Sequence, residues 1–131
     1  MMRYRTPSLL ALTVLLAGCG RESSTPELPS FQDPDLTQGR NTWMQVCRNC
    51  HLLGVAGAPA ISNTEAWQPR AAKGRDALYR SALNGIRQGD GWSMPPRGGE
   101  DRLSDAQVRR AVDYMLTVAV GLPQGNSDAS R

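Results

Sequence analysis

Histidine is almost missing from this chain. There is one, His51, in 131 residues, with only three cysteines beside it. That excludes a site built from several imidazoles or from two Cys pairs, the usual make-up of a structural zinc centre. Aromatic residues make up 5% of the chain, with a single Phe. A small folded unit of this composition has little bulk of its own for a core. Residues 9–16 form an apolar run, well short of the ~20 residues a membrane-spanning helix needs. No stretch alternates as a half-buried strand would, and no internal repeat is present. Charge of one sign is also scarce: 15 basic against 12 acidic residues leave a net +3, too little for nucleic-acid binding.

The scarce residues are placed together. Cys47-Arg48-Asn49-Cys50-His51 takes two of the three cysteines and the only histidine. C-x-x-C-H is the pentad to which a c-type haem is attached. Two thiols add across the two haem vinyl groups, and the adjacent His supplies the proximal ligand to the iron. A dithiol redox pair and half of a zinc site are the competing readings of C-x-x-C. The dithiol would want a buried strand before it, whereas the residues before Cys47 read as helix. A zinc site would need two further ligands, and no second Cys pair or His follows.

Cys19 belongs elsewhere. Residues 1–18 combine Arg3 and Arg5, the apolar run and small residues before Cys19, as a secretory leader does. Leu16-Ala17-Gly18-Cys19 resembles the lipobox of bacterial lipoprotein precursors. The resemblance implies cleavage before Cys19 and lipidation of that residue, with two or more acyl chains giving stable anchoring. An ordinary secretory signal that happens to contain a Cys is the alternative. Either sends the chain to the bacterial periplasm. Gly20 stands where some bacteria use Asp for inner-membrane retention, which points towards the outer membrane. Removing Arg3 and Arg5 from the 15 basic residues leaves 13 against 12 acidic ones. The two propionates of a haem would take the charge to about −1.

Residues 19–35 read as lipid anchor and flexible tether, with Pro26, Pro29 and Pro34, and residues 121–131 as a disordered tail. The folded unit is then residues 36–120, a single small domain. Its pattern is helices joined by loops. Residues 36–47 and 77–83 carry helical spacing, with Asn84-Gly85 as a stop. A helix over residues 103–118 has Ser104 and Gln107 as a capping box and an apolar stripe through Val108, Ala111, Val112 and Met115. A short turn spans residues 64–67, which Pro69 is expected to end or restart.

One His rules out bis-His ligation, so a second ligand must come from Met44, Met94 or Met115. Met44 precedes Cys47 on the same predicted helix, and Met115 serves the apolar stripe. Met94 lies in a loop and is followed by Pro95-Pro96, which lower the entropy cost of holding a thioether on the iron. The competing role for Met94 is to cover a hydrophobic edge. His51 and Met94 are the expected axial ligands.

These pieces resemble the class I c-type cytochromes, and specifically the cytochrome c5 group. The haem pentad, Gly54-Val55-Ala56-Gly57-Ala58-Pro59, Ala66-Trp67-Gln68-Pro69-Arg70, Ala82-Leu83-Asn84-Gly85, Met94-Pro95-Pro96-Arg97-Gly98-Gly99 and Ala111-Val112-Asp113-Tyr114-Met115 carry the likeness. It implies an all-α class I cytochrome c fold, with helices packed around one covalent haem c. The first and last helices would cross at Gly39, with Trp43 near Tyr114. It also implies that the Pro59 carbonyl accepts the His51 ring N–H, and that Trp67 and Arg70 contact a haem propionate. Two departures stand out: no Cys pair follows the Met loop, and Arg87-Gln88-Gly89-Asp90-Gly91-Trp92 reads as an insertion before Met94.

A six-coordinate iron has no open position. The expected function is therefore outer-sphere, one-electron transfer between redox partners by an electron carrier rather than an enzyme, next to membrane-bound respiratory components. The alternatives are a haem enzyme subunit or gas sensor with an open distal site, and an assembly lipoprotein carrying a dithiol.

Overall fold

A computed structural model describes residues 27–122. The leader at 1–18, Cys19, the tether up to residue 26 and the tail from residue 123 lie outside the described residues. Helix α1 (Pro34–Thr42) opens with Asp33, whose carboxylate accepts from the Leu36 N–H at 2.9 Å, and with Pro34 at the first helical position. The chain then widens into a π-helical turn, Trp43–Cys47, and closes through the one-turn α2 (Arg48–His51). Three more helices follow: α3 (Thr64–Ala71), α4 (Arg75–Asn84) and α5 (Asp105–Val120). Between α4 and α5 lies a two-stranded antiparallel hairpin, β1 (Ile86–Gln88) and β2 (Gly91–Met94).

Helix α5 is the spine. Its N-terminus carries the expected capping box, with Ser104 and Gln107 satisfying each other's backbone N–H groups. Gly121 ends it in the left-handed conformation, donating to the Thr117 carbonyl at 3.1 Å. Val108, Ala111, Val112, Met115, Leu116 and Ala119 are buried at helical spacing, which is the stripe that faces the other helices. Helix α1 crosses α5 at Gly39. A Cβ there would run into the Arg110 carbonyl oxygen and lie 3.2 Å from the Tyr114 Cβ, so only glycine fits. Beside this crossing Trp43 and Tyr114 are fully buried, with ring centroids 6.0 Å apart. The Arg110 guanidinium also pairs with Asp35 of α1 at 2.6 Å.

The other helices are tied to α5 by polar contacts. The Thr64 hydroxyl donates to the Ala119 carbonyl at 2.8 Å, fixing the start of α3. Asp113, buried on α5, accepts from the Tyr79 hydroxyl at 2.7 Å and pairs with the Arg75 guanidinium, both from α4. A buried carboxylate is tolerated only with such partners.

Several expectations change. Helix α3 runs through Pro69 to Ala71 instead of ending there. Proline cannot donate to the Glu65 carbonyl four residues back, but both residues are exposed, so water can satisfy that oxygen. The hairpin replaces an expected stretch of pure loop. The segment assigned as tether is partly packed: the Phe31 ring meets Tyr114 edge-on at 6.0 Å, and the Tyr114 hydroxyl donates to the Pro29 carbonyl at 2.9 Å. The single Phe thus seals the end of the core.

Candidate functional site

Both cysteines of the pentad, His51 and Met94 line one cleft of about 340 Å³. Its walls come from the π-turn and α2, the loop at Gly57 to Pro59, α3, α4, the hairpin and the inner face of α5. The π-turn that ends at Cys47 leads directly into the helical turn carrying Cys50 and His51. Both thiols are free and half-buried. Burial pushes the Cys47 thiol up to about 11; its own backbone hydrogen bond opposes this and the neighbouring Cys50 adds to it. A dithiol built for exchange holds its nucleophile low. A thiol held protonated in an apolar wall is the opposite of a thioredoxin-like pair.

His51 is buried at 6% exposure, and its Nδ1 lies 2.9 Å from the Pro59 carbonyl. A carbonyl only accepts, so Nδ1 carries the proton and Nε2 keeps its lone pair for a metal. Burial lowers the imidazole pKa, against the Pro59 hydrogen bond, and the Arg70 charge lowers it further. The ring is therefore neutral at neutral pH, as a ligand must be. The Pro59 carbonyl is delivered by a tight loop in which Gly54, Ala56 and Gly57 all have positive φ. A short backbone bond from the Ile61 N–H to the His51 carbonyl, 2.6 Å, closes the same loop.

Trp67 packs on the His51 ring with centroids 5.8 Å apart. Its indole N–H donates to the Ala60 carbonyl at 2.8 Å. Arg70 lines the cleft, donating one N–H to the Ala66 carbonyl at 2.6 Å. Two further cations on the cleft, Lys73 and Arg97, were not anticipated from sequence. Arg97 sits in the Met loop itself, which was the available signal. It ties that loop to the start of α5 and the segment before it, donating to the Leu103 carbonyl at 2.8 Å and to Asp105 at 2.6 Å. Gly98 lies so close to the π-turn that a Cβ would stand 2.8 Å from a Val46 methyl.

The donor set can be tested against a haem. The cleft offers two thiols, one neutral imidazole and one thioether among mostly apolar side chains. Three cations and no carboxylate line it. An apolar macrocycle with two propionates fits that chemistry. No group of three His, Cys, Asp or Glu side chains among the described residues is placed to hold a metal ion by itself.

The comparisons agree. A family model described as cytochrome c oxidase, cbb3-type, subunit III matches residues 34–115. Cytochrome c-555 of Chlorobaculum tepidum is 39% identical over 82 residues, covering 63% of this chain and 75% of that protein. Cytochrome c5 of Ectopseudomonas mendocina is 39% identical over 71 residues, 53% of this chain and 76% of that one. Among solved structures, a chain of the electron transfer complex of nitrite reductase with cytochrome c superposes with a TM-score of 0.57 at 39% identity, over 66% of this chain and 96% of that chain. These relatives are c-type cytochromes by name, and the solved one comes from an electron transfer complex. The chain belongs to the same family: it is a small, all-α class I c-type cytochrome that binds one covalent haem c with its iron.

Proposed function

We propose that this cytochrome carries single electrons by outer-sphere transfer, with Cys47 and Cys50 as the residues that would attach the haem and His51 and Met94 as those that would ligate its iron. The observation that carries the reading is the sorting of the three methionines. Met44 is not among the residues that line the cleft. Met115 lines it, but its sulfur accepts the Trp43 indole N–H at 3.3 Å and the side chain is buried in the core. Met94 lines the cleft at the end of β2, with Pro95 and Pro96 stiffening the backbone beyond it.

When bound, the haem supplies an iron that alternates between ferrous and ferric states. Pro59 orients the imidazole and raises its basicity as a ligand. The Met94 thioether favours the ferrous state and raises the potential. With His51 and Met94 both ligating it, the iron would offer no site to a substrate. Arg70, Lys73 and Arg97 are the cations available to the propionates. The likeness to a cytochrome c in a complex with nitrite reductase supports a redox protein as the class of partner. Cys19 is the proposed lipid anchor, holding the domain on the periplasmic side of a membrane, the outer one by the Gly20 argument, and raising its effective concentration near membrane-bound partners. Among the described residues no helix is long and apolar enough to cross a membrane.

Met94→Ala tests the ligand set. The charge-transfer band from methionine sulfur to ferric iron should vanish while the covalent haem, measured as pyridine haemochrome, is retained. Cys19→Ser tests the anchor: the protein should move from the membrane to the soluble periplasmic fraction.

A further inference from the structure

The hairpin has an irregularity placed where it matters. Gln88 pairs with Gly91 and Arg87 with Trp92, but Ile86 pairs with Met94. The register shifts between Ile86 and Arg87, which leaves Ser93 as an extra residue on β2. In a regular strand Trp92 and Met94, two apart, would share a face. The bulge separates them. Ile86 and Met94 line the haem cleft, whereas Arg87 and Trp92 do not. On that other side the Arg87 guanidinium lies over the Trp92 ring, 4.7 Å from its centroid. Arg87 also donates to the Asp90 carbonyl across the turn at 2.9 Å, and the Ser93 hydroxyl donates to the Ile86 carbonyl at 3.2 Å.

The Trp92 ring is seated on the end of α4. Gly85, at φ 75°, would bring a Cβ to 2.8 Å from the ring, 2.7 Å from the Met94 carbonyl oxygen and 2.8 Å from the Pro96 nitrogen. One glycine thus carries the indole and the backbone on both sides of Pro95. Trp92 is 47% exposed, so this packing does not serve the core.

We propose that the hairpin is a clasp in which Trp92, seated on Gly85 and capped by Arg87, is the positioning residue that sets how firmly Met94 is held towards the iron. The inference rests on Met94 being the sixth ligand. Trp92 is not among the residues that line the cleft. It acts through the register that turns Met94 inward, and weakening it frees the bulge to slip and Met94 to swing out.

The test is displacement of Met94 by imidazole in the purified ferric holoprotein, read from loss of the charge-transfer band. Trp92→Ala should keep the band in buffer but bind imidazole about five- to tenfold more tightly, the size of a lost cation–π contact plus ring packing. Trp92→Phe, which keeps an aromatic ring over Gly85, should recover most of the difference. Arg87→Ala, at an exposed side chain, should show about a twofold effect and serves if Trp92→Ala does not mature. Imidazole affinity equal to wild type in both Trp92→Ala and Arg87→Ala overturns the clasp. A band that survives in Met94→Ala overturns the ligand assignment and the clasp with it. A band lost in Met94→Ala together with unchanged imidazole affinity in the hairpin variants overturns the clasp alone.

Discussion

His51 and Met94 reach one cleft from two very different supports. His51 is buried on a turn of helix continuous with α1. Its ring is fixed by the Pro59 carbonyl and by Trp67, and its backbone by Ile61. The α1–α5 crossing behind it is closed by Gly39, Trp43 and Tyr114. Met94 hangs from a hairpin of six paired residues, in which Ile86 and Trp92 are both nearly half exposed. Deep burial makes one side rigid, while the other depends on a bulge, a glycine seat and a surface cation–π pair. With His51 and Met94 as the proposed ligands of a carrier, both need to be held, since rigidity limits reorganisation on each transfer. The contrast places global stability on the His51 side and ligand lability on the Met94 side.

Four outcomes would break or sharpen that contrast. The largest effect is expected on the rigid side. Trp43→Ala should cost about 3–5 kcal/mol in denaturant unfolding. The charge-transfer band should stay intact while the protein is folded. Asp113→Ala should come next, costing about 2–3 kcal/mol, because it removes the buried acceptor of the Tyr79 hydroxyl and the Arg75 ion pair. Arg87→Ala inverts the pattern: stability should stay within about 0.5 kcal/mol of wild type, while imidazole displaces Met94 more readily.

The smallest effect is a pH dependence. Burial, then the Asp113 carboxylate, push the Tyr79 hydroxyl up to about 12. A tyrosine whose folded pKa is raised favours the folded state fully below the ordinary value of about 10, and that contribution is lost as pH climbs through 12. Thermal melts should therefore fall between those limits, and Tyr79→Phe should flatten the fall. An unchanged slope in that variant would remove Tyr79 from the account.

The sequence was most legible where chemistry is local. The pentad, the Ser104–Gln107 capping box, the α5 stripe and the Gly85 stop are all set by neighbours within a few residues, and each stands in the structure. Relations between distant residues were illegible from the residues themselves. Nothing near Asp113 in sequence shows that Arg75 and Tyr79 of α4 come to it. Phe31 lay in a proline-rich stretch and read as tether, although it packs on a residue more than eighty positions away. The hairpin escaped because its strands are too short to alternate and its bulge breaks what alternation there is. Gly89-Asp90-Gly91 between Ile86-Arg87 and Trp92 was the turn signal available. Elimination among the methionines singled out Met94, which lines the cleft, but its support was not legible.

The most direct measurement is the near-infrared and visible spectrum of the ferric protein in three variants made side by side: Met44→Ala, Met94→Ala and Met115→Ala. The account predicts that the methionine-to-iron charge-transfer band disappears in Met94→Ala alone and persists in the other two, with covalent haem retained in all three. Persistence of the band in Met94→Ala, with its loss in Met115→Ala or Met44→Ala, would contradict it.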